Sequence, residues 1–155
     1  AEEKGAMVSP DGEVVGEHQG ISQYTIGQRR KLGVTGPKSN YVQQINKKTN
    51  TITVAPREKM YFPGCKVHQL NWLIPSEEWP TGIFYTHIRY NHDGVESKME
   101  YRKNGSVSVK FKSPQFAVAP GQSAVFYIDD ILLGGGIIVG AESPPEQNGL
   151  DNHSQ

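Results

Sequence analysis

Three consecutive cations, Arg29, Arg30 and Lys31, in the stretch QYTIGQRRKLGV are the densest candidate for chemistry in this chain. Neighbouring positions on a short helix fan over more than half its circumference, which suits a curved phosphate backbone better than a single carboxylate. The competing reading is a solvated helix end whose bases lie near the C-terminal dipole, where cations are mildly favoured. Composition alone leaves both open. A second candidate, HIRYN, places Arg89 and Tyr90 on opposite faces near the end of a strand. An arginine and an aromatic ring at a strand-loop junction can clamp a phosphate and stack a base, and Tyr90 can equally be a core residue. Gln122, in the turn PGQS, is expected to be exposed and can both donate and accept hydrogen bonds.

Other chemistries fit less well. The histidines are His18, His68, His87, His92 and His153, none at a ligand spacing such as HxxxH, so no metal site is expected. LLGGGII lacks the Lys and Ser/Thr of a P-loop and leads into β-branched residues instead of a helix, so its glycines are read as letting a strand bend or pack closely. No G-x-S-x-G elbow is present, and Ser123 enters a strand as an ordinary residue. Cys65 stands between Gly64 and Lys66 without a helix start to lower its pKa and is read as an incidental thiol. No cofactor is expected in this chain.

The elements that would position these residues are short. GEVVG is a strand candidate introduced by the turn SPDG. Thr25 can cap, and Gly33 can end, a helix of about two turns, in which Gly27 would cost roughly 1 kcal/mol relative to Ala. YVQQI and TITVAP flank NKKTN as a hairpin, and Pro63 and Gly64 punctuate a connector. KVHQLNWL, IFYTHIRY, VESKMEYR, SAVFY and ILLGGGII read as further strands. Asn104-Gly105 predicts a tight I′ turn before a strand with Val107, Val109 and Phe111 on one face and Ser106, Ser108, Lys110 and Lys112 on a basic outer face. The expected organisation is a flexible segment over 1–7, a central domain over 8–60, a connector over 61–66, a β-barrel over 67–140 and a disordered tail over 141–155. About six strands in the second half suggest a closed or nearly closed barrel, which leaves no exposed edge.

The bulk numbers agree with a mainly β protein. The chain has 155 residues, 35% hydrophobic content, 17 glycines and 10 prolines, enough for one medium or two small domains with modest cores. One cysteine excludes an internal disulfide framework and a two-cysteine relay. No apolar run approaches the roughly 18 residues that span a bilayer, so no membrane partner is expected. Net charge is zero, yet residues 18–140 carry fifteen Lys or Arg against eight Asp or Glu, a local surplus able to bind polyanions or simply to solubilise the surface.

GEHQGISQYTIGQRRKLGV, YVQQINKKTNTITVAP, AVAPGQSAVFY and LLGGGII, in this order, closely resemble the central and C-terminal domains of the tRNA 2-thiouridylases, the tRNA-uridine 2-sulfurtransferases of bacteria and organelles. The match covers about residues 8–140. The resemblance implies a small central domain with one short helix, then an antiparallel barrel like those of elongation factors, serving to bind and position tRNA. It implies tRNA contact for Arg89 and Tyr90, which match the family's Arg-Tyr pair, and for Gln122, which matches the glutamine of its Pro-Gly-Gln motif. Arg29 and Arg30 join them as candidate phosphate ligands, with Lys110 and Lys112 in support. Lys31 stands where the family often has Gly, and Asn91 where it often has a second base. The family's ATP-pyrophosphatase domain, its Ser-Gly-Gly-x-Asp-Ser loop and its two upstream cysteines have no counterpart here. Catalysis with ATP, Mg and a persulfide from a sulfur-relay donor protein would therefore belong to an N-terminal domain outside this chain, which alone is expected to be inactive. The alternative is a structural module that docks on that domain without binding tRNA. A cytoplasmic or organellar-matrix location follows from the same resemblance.

Overall fold

The computed structural model describes residues 2–30, 32–33, 40–89 and 93–143; Lys31, Tyr90, Asn91, His92 and the tail from residue 144 lie outside them. The chain divides into two compact units, residues 1–61 with 115–119, and residues 62–114 with 120–155.

The first unit is a four-stranded sheet. Its strands are β1 (Gly5–Val8), β2 (Val14–His18), β3 (Asn40–Asn46) and β4 (Thr51–Pro56), in the order β2-β1-β4-β3, with β1 parallel to β4. The SPDG turn forms as expected, closed by the Gly12 N–H on the Ser9 carbonyl at 2.9 Å with Gly12 at φ +87°. The NKKTN hairpin also forms, its turn held by Asn46 Oδ1, which accepts from the amides of Lys48 and Thr49. Residues 1–7 were expected to be flexible, but they contain most of β1. Four residues among polar neighbours carry little periodicity, and the strand is held by tertiary contacts: Met7 is fully buried with Val42, Ile52 and Val54.

The expected helix over Thr25–Gly33 is corrected. The helical turn lies upstream, a single 3-10 turn at Ile21–Gln23. Thr25 to Gln28 instead form a β-turn, with the Gln28 N–H on the Thr25 carbonyl at 3.0 Å and Gly27 at φ +92°. That positive φ is the glycine position of a type II turn and is incompatible with a right-handed helix. The turn docks on an edge strand: the Gly27 amide donates to the Val42 carbonyl at 2.8 Å, and the Val42 amide donates to Gln28 at 2.9 Å. Leu32 anchors the segment in the core.

The second unit is built on a closed six-stranded antiparallel barrel of β5 (Tyr61–Trp72), β6 (Phe84–His87), β7 (Val95–Tyr101), β8 (Val107–Phe116), β9 (Ser123–Ile128) and β10 (Ile131–Glu142), in the order β10-β5-β8-β7-β6-β9. The segment expected as a connector, 61–66, opens β5, and residues 141–142, expected in the tail, end β10. Pro63 and Gly64 punctuate no loop, because Gly64 pairs with Glu142 inside the sheet. Strands β5 and β6 are opposite in the ring, so the segment joining them crosses one end of the barrel. Trp79, from that segment, packs on Trp72 and Phe84, and Phe126 completes the cluster with ring centroids 5.3 to 5.6 Å apart. Buried Thr86 donates to Ser97 at 2.8 Å and Ser97 to the Val95 carbonyl at 2.8 Å, so hydrogen bonds offset the burial of both hydroxyls.

Two local expectations change. The Asn104-Gly105 loop is not an I′ turn: Gly105 is at φ +83° but Asn104 is not at positive φ, and the Arg102 amide reaches past Gly105 to the Ser106 carbonyl at 2.9 Å. This is the longer loop, a turn followed by a left-handed glycine. On β8, Lys110 and Lys112 are exposed as expected, but Ser108, and Ser106 just before the strand, are buried. Arg102 Nη1 donates to Ser108 Oγ at 2.7 Å and covers it.

Candidate functional site

The barrel positions two of the candidates together. Along β6 and just beyond it, Phe84, Thr86 and Ile88 point inward and are buried, leaving Tyr85, His87 and Arg89 on the outer face. In the neighbouring β9, Ala124, Phe126 and Ile128 point inward and Ser123, Val125 and Tyr127 outward. Cross-strand pairing sets His87 against Val125. Gln122 enters β9 from the Pro120-Gly121 corner, where Gly121 is at φ +88°. A two-bond ladder pins that corner to β10: the Gly121 amide donates to the Ile138 carbonyl, and the Ile138 amide donates to Gln122, both at 2.8 Å.

Between these elements lies an open cleft of about 470 Å³ lined by His87, Ile88, Arg89, Gln122, Ser123, Val125 and Tyr127. Arg89 is half-buried, and burial lowers its guanidinium from the usual arginine value. An arginine stays charged at neutral pH through such a shift. The result is a partly desolvated cation on a strand framework, beside an amide able to donate and accept. A phosphate or a polar nucleobase edge fits both groups.

His87 and Tyr127 were not assigned to this surface from sequence. Their rings are 4.9 Å apart, edge to face. Gly94, at φ +84°, makes room for the imidazole, since a Cβ there would lie 2.7 Å from His87 Nε2. The spacing of His87 and Arg89, two residues apart in a strand, was a usable signal; the approach of Tyr127 depends on β6–β9 pairing and had none.

Arg29 and Arg30 belong to the first unit. Both are exposed, and neither has a carboxylate partner among the described residues. Gln28 holds them: its Oε1 accepts from the Thr25 amide at 3.1 Å and its Nε2 donates to the Arg30 carbonyl at 2.9 Å. They are therefore presented by a stitched turn, not fanned around a helix.

The remaining chemistry-bearing residues do not assemble. Gly134, Gly135 and Gly136 lie inside β10 between two register shifts. A Cβ at Gly135 would sit 2.7 Å from the Ala124 carbonyl oxygen, and one at Gly136 2.6 Å from that of His68. They allow close strand packing, as the sequence suggests, and form no cradle for a nucleotide phosphate. Among the described residues no three His, Cys, Asp or Glu side chains gather to hold a metal ion. Cys65 is fully buried, and burial, with Glu142 adding to it, pushes its thiol up to about 12. Such a thiol is protonated at neutral pH and is a poor nucleophile. These residues do not fit an ATP–Mg site or a persulfide carrier. No helix among the described residues is long and apolar enough to cross a membrane.

Comparison with known proteins covers both units. Residues 1–56 match the family model described as a tRNA methyl transferase PRC-barrel domain, and residues 62–138 match an aminomethyltransferase β-barrel domain. Proteins named tRNA-specific 2-thiouridylase MnmA are similar to 88% of this chain: 41% identical over 138 residues in Rippkaea orientalis, 40% over 136 in Aquifex aeolicus and 40% over 138 in Natranaerobius thermophilus. The matched regions span 39%, 38% and 37% of those proteins.

Proposed function

Since the chain belongs to the tRNA 2-thiouridylase family through its central and C-terminal domains, we propose that it is the tRNA-positioning portion of an enzyme performing ATP-dependent sulfur transfer to the wobble uridine of tRNA. The observation that carries this reading is the cleft in which half-buried Arg89 and Gln122 face one volume on the barrel's outer surface. Arg89 supplies a charge-assisted bond to a phosphate oxygen, and Gln122 supplies directional hydrogen bonding that sets register. Arg29 and Arg30, on their turn, add contacts to phosphates, and Tyr90 adds a stacking ring by family resemblance. Adenylation with ATP and Mg, and delivery of a persulfide sulfur from a relay protein, fall to residues beyond this chain, in the cytoplasm or an organellar matrix.

The experiment is filter binding of unmodified tRNA to the 155-residue chain across a salt titration. The reading expects binding that weakens steeply with salt, because bound cations release counterions from the phosphates. Binding no tighter than that of a neutral control protein would overturn it.

A second reading, a module that docks on the catalytic domain without binding tRNA, draws on the apolar strip where Leu73 and Leu132 are exposed beside Gly134–Gly136. It expects weak tRNA binding by the chain alone and recovery when the catalytic domain is added in trans.

A further inference from the structure

The first unit holds a cation that neither its motifs nor the family resemblance singles out. Arg57 opens a 3-10 turn, Arg57–Lys59, that follows β4 directly. The turn is rigid: the Met60 amide donates to the Arg57 carbonyl at 3.0 Å, the Met60 side chain is fully buried, and its own carbonyl accepts from the Ala117 amide at 2.8 Å.

The guanidinium of Arg57 lies over the Phe116 ring at 4.9 Å from its centroid, and its Nη1 donates to the Tyr41 hydroxyl at 3.4 Å. Phe116 is itself gripped edge to face by Tyr41 and Tyr61, at 5.4 and 5.5 Å. Hydrogen bonds to Tyr41 and then Tyr61 hold Arg57 above the ordinary arginine value. Stacking fixes the plane of the fork, so little side-chain entropy remains to be lost when its outer N–H groups bond a ligand. Yet Arg57 is exposed and has no carboxylate partner among the described residues, Glu58 beside it included. A cation ordered by three aromatic rings and left without an anion is a prepared anion site.

The surroundings specify the anion. Tyr41, under Arg57, precedes Val42, whose amide bonds the Gln28 carbonyl, so the Arg57 turn and the Arg29–Arg30 turn flank the same end of β3. Residues 1–61 and 115–119 carry nine Lys or Arg against six Asp or Glu, whereas the rest of the chain carries seven against ten. Arg29, Arg30, Arg57 and exposed Lys59 thus lie on segments that meet the same part of β3 in the positively charged unit.

We propose that Arg57, stacked on Phe116, binds a backbone phosphodiester of the RNA, extending the Arg29–Arg30 contact to a second turn. The inference rests on the tRNA-positioning reading. Arg57 takes the phosphate on the free edge of its fork, and Tyr61, partly exposed beside it, borders the sugar.

The test is the same tRNA salt titration with Arg57→Gln, Arg57→Lys and Arg89→Ala, with each variant's melting temperature recorded. Arg57→Gln is expected to lower affinity by about tenfold and the salt slope by about one, with an unchanged melting temperature. Arg57→Lys keeps the slope but recovers only part of the affinity, because the fork and its stacking are lost. Unchanged affinity and slope in Arg57→Gln while Arg89→Ala weakens binding would overturn the Arg57 site and leave the wider reading standing. A loss confined to melting temperature would likewise reduce Arg57 to a packing role. If the unaltered chain does not bind tRNA at all, the wider reading fails, and this site with it.

Discussion

The two units present positive charge in different ways. In the barrel, Arg89 is half-buried two residues past β6, where Phe84 and Thr86 on the strand and Ile88 just beyond it are buried. In the sheet unit, Arg29, Arg30 and Arg57 are exposed on turns, and those turns are held by side-chain knots. Gln28 stitches one. Tyr41 and Phe116 hold the guanidinium at the other, by a hydrogen bond at 3.4 Å and by stacking. A partly desolvated cation just past a strand has fewer positions in which to meet a ligand, under the proposed reading. Exposed cations on turns add long-range attraction that salt screens. Charge alone would not separate these roles; burial does.

The effect of burial is sharpest at Cys65, inside the barrel. With its thiol pushed up to about 12, against 9.0 for a free thiol, it holds about a thousandfold less thiolate at neutral pH. Alkylation of the native chain is therefore expected to be slower by about that factor than after unfolding in denaturant, as measured by a thiol-reactive chromophore. Equal rates in the two states would mean a loose barrel. The sign for stability follows from the raised folded value: the contribution is fully present below about 9 and is lost as pH rises towards 12, since the unfolded chain ionises first.

Removing an aromatic from the barrel cluster should cost the most stability. Phe126→Ala strips contacts from Trp72 and Phe84 and is expected to lose about 3–5 kcal/mol in urea unfolding. The sheet unit should yield less to its equivalent cut. The Gly20 amide donates to His18 Nδ1 at 3.1 Å, and Nε2 on the other side of the ring meets the Asn50 carbonyl at 2.7 Å. His18→Ala leaves both partners unsatisfied and is expected to cost about 2 kcal/mol by the same measurement. A larger loss than for Phe126→Ala would reverse the ranking of the two units.

The smallest effects separate the cations. Arg89→Ala is expected to weaken tRNA binding about tenfold, and Arg30→Ala only about threefold, although each lowers the salt slope by about one. Equal losses for the two would erase the distinction between a half-buried and an exposed arginine.

Alternation made much of the barrel legible. Val107, Val109 and Phe111 are buried on one side of β8 as their spacing requires, and LLGGGII is a bent strand. The TIGQ stretch misled because its residues are compatible with a capped helix, whereas Gly27 takes a positive φ and bonds an edge strand that comes later in the chain. β1 was missed for a related reason: four residues carry little pattern, and Met7 is made a core residue by strands that arrive from elsewhere. The Arg89–Gln122 cleft was half legible, since both residues stood out by type and motif but not by proximity.

Local chemistry in the sequence thus determined residue faces, turn sites, the mainly β class and, through ordered motifs, the family. The tertiary structure alone decided which strands became neighbours. Closure of the ring set Arg89 beside Gln122 and Tyr127, and the return of residues 115–119 to the first unit laid Phe116 under Arg57. Alternation along a strand tells each side chain which way to point. It holds no information about the partner across the hydrogen bonds, because that pairing is selected by the packing of the whole core.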